Sequence, residues 1–256
     1  MEELVNSYVV NNSLGDEEYE EFVAQIMDYL LVEGEERSGQ AKQEGGKESI
    51  QSFIAGLNLH LTSDDDEVRT RSMQLVASLF QEKPNMAMTA AALHLIVLCF
   101  CQRLSDQSCI TPALDALHAL VIHHSAKFSA KYDDAAYILN TLTKEVQVQA
   151  MVQVIRQKAL ELADALLDFM RRSNMLENSN IVCKETLEGI IELGEGEKDP
   201  RCLLLFLRLH TYIPFFENVL QESQAMQQKT FYSYACYFPI TFEPPPNDPY
   251  GITKEA

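Results

Sequence analysis

Apolar residues recur along most of this chain every three or four positions, which is the spacing of one face of an α-helix. The clearest stretch runs through Met151, Ile155, Ala159, Leu162, Leu166 and Met170, with Gln153, Gln157, Glu161, Asp164, Asp168 and Arg171 on the opposite side. That pattern predicts an amphipathic helix of about five turns. Less clean versions predict helices over 17–32, 49–60, 64–81, 87–104, 112–124, 133–146, 181–193, 200–213 and 215–236. No run of period-two alternation bounded by turn residues is present, so the pattern gives no reason to expect strands.

Local chemistry marks where these helices begin and end. Ser63 with Asp66 fits a capping side chain followed three residues on by an acid. Thr111-Pro112 and Asp199-Pro200 each place a capping residue before a proline, whose fixed φ and missing N–H suit the first helical position. Lys83-Pro84 closes the helix begun at Asp64, and Gly194 and Gly196 stand just past a helix ending near Leu193. Starts near 64, 112, 151 and 200 recur every 39 to 49 residues. This is close to the roughly 40 to 47 residues of a two-helix HEAT or armadillo unit. The predicted class is therefore all-α, a HEAT/armadillo-type helical-repeat solenoid.

Two stretches interrupt the periodicity. Residues 33–48, EGEERSGQAKQEGGKE, hold four glycines and almost no apolar content, so they read as a flexible loop that adds nothing to a core. The last eighteen residues contain five prolines, which excludes helix over most of their length. The expected organisation is an acidic N-terminal helical pair at 1–32, the loop at 33–48, HEAT-like repeats over 49–236, and an extended proline-rich segment at 237–256.

Composition narrows the function classes. The formal net charge is −18, and residues 1–67 carry 17 acidic against 3 basic side chains. Such a field disfavours direct nucleic-acid binding, which needs clustered Lys and Arg. It admits basic protein partners, and it equally fits a solvated face that keeps the chain in solution. No stretch offers the roughly 18 to 20 uninterrupted apolar residues of a membrane span; the best, Ala90 to Cys101, contains His94. The start MEELVNSY has neither a basic nor an apolar signal region, which points to cytoplasm or nucleus. In that setting Cys99, Cys101, Cys109, Cys183, Cys202 and Cys236 read as reduced, buried thiols.

Site chemistry is sparse. Cys99 and Cys101 lie two positions apart in a predicted helix, about 200° around its axis, so they cannot face one metal. His123 and His124 diverge by about 100°, with His118 nearby, and read as a helix-end group beside C-terminal carbonyls. No G-x-S-x-G and no phosphate-cradling glycine loop occurs, and capping explains the carboxylates of Asp64 to Glu67. No catalytic, metal or cofactor-binding residue is predicted, and the chain reads as a non-enzyme. Phe206, Tyr212, Phe215, Phe216 and the cluster Phe231, Tyr232, Tyr234, Tyr237 and Phe238 read as packing for the last helix pair and as anchors of the proline segment. Any solvent-facing fraction of Tyr232, Tyr234 and Tyr237 would instead form a partner-binding edge.

Three segments carry a family resemblance. SDDDEVRTRSMQLVASL, at 63–79, resembles the second helix of a HEAT repeat, in which a turn Asp and a helix Arg pair along the stack as a ladder. Arg69 is the ladder arginine by this resemblance. The position six before it is Ser63 rather than Asp, with Asp64 or Asp65 available as replacement, and Asp199-Pro200-Arg201 looks like a second copy. GEKDPRCLLLFLRLH at 196–210 and CYFPITFEPPPNDPYGITKEA at 236–256 resemble the MMS-nineteen (nucleotide excision repair homologue) family. Arg103 to Asp106 with Ile110, Thr111, Pro112 and Leu117 is similar to a helix turn of that family. Members are much longer HEAT-repeat scaffolds, so the chain reads as an N-terminal fragment or short form. The resemblance implies an adaptor that helps target cytosolic iron-sulfur cluster assembly to apo-proteins, among them DNA repair and replication enzymes. Its partners would be the assembly targeting factors and their clients, in cytoplasm and nucleus, with no membrane partner. The competing expectation is a helical-repeat adaptor of nuclear transport or transcription.

Overall fold

The computed structural model describes residues 2–11, 16–30, 50–82, 86, 88–129, 131–177 and 180–239. The loop expected at 33–48, and all but Tyr237, Phe238 and Pro239 of the proline-rich segment, lie outside the described residues. Within them the chain is predominantly helical, with no strand, and belongs to the all-α, helical-repeat class. It divides into two compact units, Met1–Asp134 and Ala135–Ala256.

The first unit contains α1 (Glu2–Asn11), α2 (Asp16–Tyr29), α3 (Ile50–Gly56), α4 (Asn58–Leu61), α5 (Asp66–Glu82), α6 (Ala90–Gln102) and α7 (Ile110–His124). Its centre is the pair α5 and α7, with α1, α2 and α4 packed on α5 and α6 on α7. α5 buries Met73, Leu75, Val76, Leu79 and Phe80. Phe80 meets Phe100 of α6 edge-on at 6.4 Å. Polar ties fix the N-terminal helices to this pair. Arg71 donates from Nε to the Val9 carbonyl (2.8 Å) and from Nη2 to the Val10 carbonyl (3.2 Å), satisfying the open end of α1. Tyr8 packs against Tyr19 and Phe22 with ring centres 5.0 and 5.1 Å away, joining α1 to α2.

The second unit contains α8 (Asp134–Glu145), α9 (Gln153–Arg172), α10 (Lys184–Glu192), α11 (Pro200–Leu209), α12 (Glu217–Glu222) and α13 (Gln224–Ala235). Here α9 packs on α11 and α10 on α13. The face of α9 that is periodic in sequence is buried, through Ala159, Leu162, Leu166 and Met170. Asp199 caps α11 as expected, its carboxylate accepting from Arg201 N at 3.0 Å with Pro200 at the first turn. Gly194 lets the chain pass over Phe206, whose ring lies 2.1 Å from where a Cβ would stand, and Gly196 has φ +77°. Both follow the end of α10.

Several boundaries differ from the periodic pattern. The helix expected over 49–60 breaks at Leu57 into α3 and α4. The helix expected over 200–213 is α-helical only to Leu209 and then tightens into a 3-10 segment over His210–Phe216. Pro214 is the cause, because it has no N–H and its ring crowds the carbonyl four residues back. The single helix expected over 215–236 is two: Ser223 leaves helical geometry and caps α13, accepting from Met226 N at 3.3 Å. α7 begins at Ile110 with Cys109 before it, so Thr111 stands inside the helix rather than capping it. The cap of α5 is Asp65, not Ser63: Asp65 Oδ1 accepts from Glu67 N (2.9 Å) and Val68 N (3.2 Å). By length and mean hydropathy the run Pro200–Glu222 could span a membrane. It is not one continuous α-helix, and Cys202, Phe206, Leu209, Tyr212, Ile213 and Phe216 are buried in the second unit.

Candidate interaction surfaces

Polar side chains tie residues one repeat apart, and these joints decide which surfaces remain free. In the first unit Arg69 reaches Asp106, 37 positions on, through Nε at 2.8 Å. It also donates to the Ser63 carbonyl (2.6 Å) and to Asp66 (2.6 Å). In the second unit Arg156 grips Glu197, 41 positions on, with Nε at 2.7 Å and Nη2 at 3.0 Å, and donates to the Met151 carbonyl at 3.0 Å. Arg103 to the Leu61 carbonyl, Lys229 to Glu188 and Tyr212 to Asp164 repeat the interval at 42, 41 and 48 positions. The ladder arginine inferred at Arg69 is therefore in a joint, but its acids are Asp66 and the distant Asp106 instead of a residue at position 63, 64 or 65. In the second copy the joint uses Arg156, while Arg201 pairs within its own turn to Asp199 at 2.7 Å.

These pairs shape the titration of the acids. Burial alone would push the Glu197 carboxyl up, but Arg156 and the N–H groups of Lys198 and Asp199 hold it below the usual range. Asp106 is likewise lowered, the Arg69 guanidinium outweighing burial. The carboxylates of the 64–67 run are largely committed. Asp65 caps α5, Asp66 pairs with Arg69, and Glu67 pairs with Arg71 at 3.1 Å.

The thiols and imidazoles do not assemble a centre. Among the described residues no group of three or more His, Cys, Asp or Glu side chains could hold a metal ion. Cys101, Cys109 and Cys202 are buried, Cys99 and Cys183 half-buried; Cys236 is exposed, against the expectation of six buried thiols, because it lies just past the last helix. Burial pushes the Cys99 thiol up, away from the reactive thiolate. His124, expected beside the C-terminal carbonyls of its helix, is buried and packs edge-on against Phe80 at 5.6 Å. His94 pairs with Asp134 at 2.7 Å and stacks on Tyr132 at 4.2 Å.

Among the described residues the most exposed aromatic side chains lie on α13 and just past its end. Met226, Thr230, Ser233 and Tyr234 form the buried stripe of α13, and Lys229 holds it to α10 through Glu188 (3.0 Å) and Glu192 (2.7 Å). Tyr234 stacks on Phe206 at 4.5 Å, and Tyr237 donates from its hydroxyl to the Gly194 carbonyl at 3.2 Å. These two tyrosines are anchors. Phe231 and Tyr232 lie on the other side of the helix, 66% exposed each, with rings 5.5 Å apart, and Phe238 beyond the helix end is 59% exposed. Of the three tyrosines considered as an edge only Tyr232 faces solvent. Phe231, expected as packing like Tyr232, lies beside it, and Phe238 is exposed past the helix end, since a residue's apolar character does not reveal which side of a helix it occupies. Such neighbouring exposed aromatics are the side chains that protein interfaces favour.

A family model described as Dos2-interacting transcription regulator of RNA-Pol-II (MMS19_N) matches residues 54–256. The mouse MMS19 nucleotide excision repair protein homolog is 30% identical over 241 residues, covering 90% of this chain and 21% of that protein. The human one is 29% identical over 241 residues, with the same coverage. The Dictyostelium discoideum one is 25% identical over 209 residues, covering 82% of this chain and 18% of that protein. The chain thus spans about a fifth of the length of the curated relatives it matches. These relatives are named as repair protein homologues, not as enzymes. With well over half of its length matched by the family model, including both ladder arginines and the whole aromatic end, the chain belongs to the MMS19 family.

Proposed function

We propose that this chain is a non-catalytic adaptor segment that helps direct cytosolic iron-sulfur cluster assembly to apo-proteins, with DNA repair and replication enzymes among its clients. The observation that carries the adaptor reading is the exposed pair Phe231 and Tyr232 on a helix anchored by Lys229 and Tyr234, with Phe238 exposed just past the helix end next to the anchored Tyr237. A rigid helix presenting apolar rings binds partners without the entropy of first ordering itself. The cluster is cargo in this reading, held by the assembly factors and delivered to the client. Partners are those factors and clients, met in cytoplasm and nucleus, and the charge of −18 keeps nucleic acid from being a direct ligand.

A second reading has its own support: the description of the matching family speaks of a transcription regulator of RNA polymerase II. A transcription-associated adaptor could present the same aromatic end to a different partner. Affinity capture from cell extract separates the two. The chain and its Phe231→Ser/Tyr232→Ser variant are immobilised in parallel, and bound proteins are compared. Enrichment of iron-sulfur apo-proteins and assembly factors on the unsubstituted chain supports cluster targeting. Enrichment of polymerase-associated factors or transport receptors in their place gives the second reading. Identical capture by both chains would remove the aromatic end from either.

A further inference from the structure

α2 and α5 do not close against each other along their full length. Tyr19 of α2 bridges them at one end, its hydroxyl 3.0 Å from Ser78 Oγ, and beside this tie lies a groove of about 770 Å³. Val23, Ala24 and Met27 give it an apolar floor, and Glu20, Asp28 and Glu82 stand around it as exposed carboxylates. Among the described residues none of these three acids is paired with a Lys or Arg, unlike Asp66 and Glu67 in the same unit. α2 contributes a further negative field, for DEEYEEFVAQIMDY contains no basic residue.

We propose that this groove binds an amphipathic helix of a partner protein, with apolar side chains seated on Val23 and Met27 and Lys or Arg residues on the flanks facing Glu20, Asp28 and Glu82. A helix is the form that fits. Both walls are helices whose backbone groups are already engaged, so an extended segment would find no backbone partners there, whereas a helix satisfies its own. Glu20 and Asp28 are eight positions apart on α2, roughly 12 Å along the axis. Cations spaced two turns apart on a bound helix match that separation. The net charge of −18 disfavours a second copy as the occupant. This site is separate from the aromatic end and does not depend on the cluster-targeting reading.

The test uses the full chain and fluorescein-labelled synthetic peptides followed by fluorescence anisotropy. One peptide has an apolar i, i+3, i+7 stripe with flanking lysines, a second has the same stripe with flanking glutamates, and a third has the lysines with the stripe scrambled. Expected are saturable binding of the first alone, affinity falling at least tenfold between 50 and 300 mM salt, and tenfold or greater loss in Glu20→Lys/Glu82→Lys. A Met27→Glu variant should lose binding similarly, while Leu59→Ser, on the exposed surface of α4, should not; circular dichroism confirms that each variant is folded. Equal binding of the scrambled peptide would reduce the effect to unspecific charge and overturn the proposal. Binding unaltered by the groove substitutions would do so too. Self-association of the chain that Met27→Glu abolishes would give the groove to a second copy and overturn it as well.

Discussion

The arginine joints of the two units perform the same task with different surroundings. In each, a guanidinium bonds a carbonyl five or six positions before it and a carboxylate 37 to 41 positions after it, tying one helical repeat to the next. Around Arg69 the acid is divided between Asp106 and the surface residue Asp66, whose side chain is 66% exposed. Around Arg156 it is concentrated in Glu197, 4% exposed at the side chain, which accepts two guanidinium N–H groups and two backbone N–H groups at once. A buried carboxylate with four donors has no alternative partner when its cation is removed, whereas an acid at the surface can turn to water. The two joints should therefore fail to different degrees, although their distances are nearly the same.

Replacing Arg156 by Met, which keeps most of the volume, should cost about 3 kcal/mol, because Glu197 is left charged and buried with only its backbone donors. Replacing Arg69 by Met should cost less, about 2 kcal/mol, since Asp106 and Asp66 recover hydration more easily. Urea unfolding of both variants measures the difference. An equal loss, or a larger one at Arg69, would mean that burial of the acid does not set the strength of these joints.

Acid should act on the same contrast. Glu197 and Asp106 both have folded values below their unfolded ones, so each contributes stability that is complete above the unfolded range near 4 and declines as pH falls through the folded value. Denaturation midpoints should thus drop on going from pH 6 to pH 3. In the Arg156→Met variant the lowering of Glu197 loses its chief cause while burial still raises it, so part of that drop should disappear. A pH profile parallel to that of the unsubstituted chain would remove Glu197 from the account.

What could be read from the residue order was whatever is decided within a few positions. The buried face of α9 follows from Ala159, Leu162, Leu166 and Met170, and the Asp199-Pro200 cap stands as expected. Arg69 is recognisable as a ladder residue, but its distant acid is not, because Asp106 reaches it only through the packing of α5 against α7. Nothing in the local sequence marks Arg156 as a joint residue for the same reason: Glu197 is 41 positions away. The break at Ser223 falls in the polar run Gln221 to Gln224, which holds no proline or glycine to mark a helix end, and the exposure of Phe231 and Tyr232 depends on which side of α13 meets α10. The groove beside Tyr19 belongs to the meeting of α2 with α5, elements nearly sixty positions apart.

The smallest expected effect lies at the turn that precedes Arg69, where Ser63, Asp64, Asp65 and Asp66 offer four neighbouring candidates for one cap. Local sequence cannot rank them, since each has an oxygen able to accept from a free N–H. The geometry does. Asp65 Oδ1 receives Glu67 N and Val68 N, the donors that a cap of α5 should satisfy, while Ser63 Oγ receives only Asp65 N at 3.2 Å, before the helix begins. Ser63 matters through its backbone carbonyl, which Arg69 engages and which a side-chain substitution leaves in place. Asp65→Ala should therefore cost about 1 kcal/mol, and Ser63→Ala only a few tenths, in the same urea experiment. The order also bears on the joints, because Arg156 likewise takes a carbonyl, that of Met151, from the turn before its helix. If Ser63→Ala proved the more damaging of the two, its hydroxyl rather than its carbonyl would be holding that turn, and the likeness between the two arginine joints would end at their carboxylates.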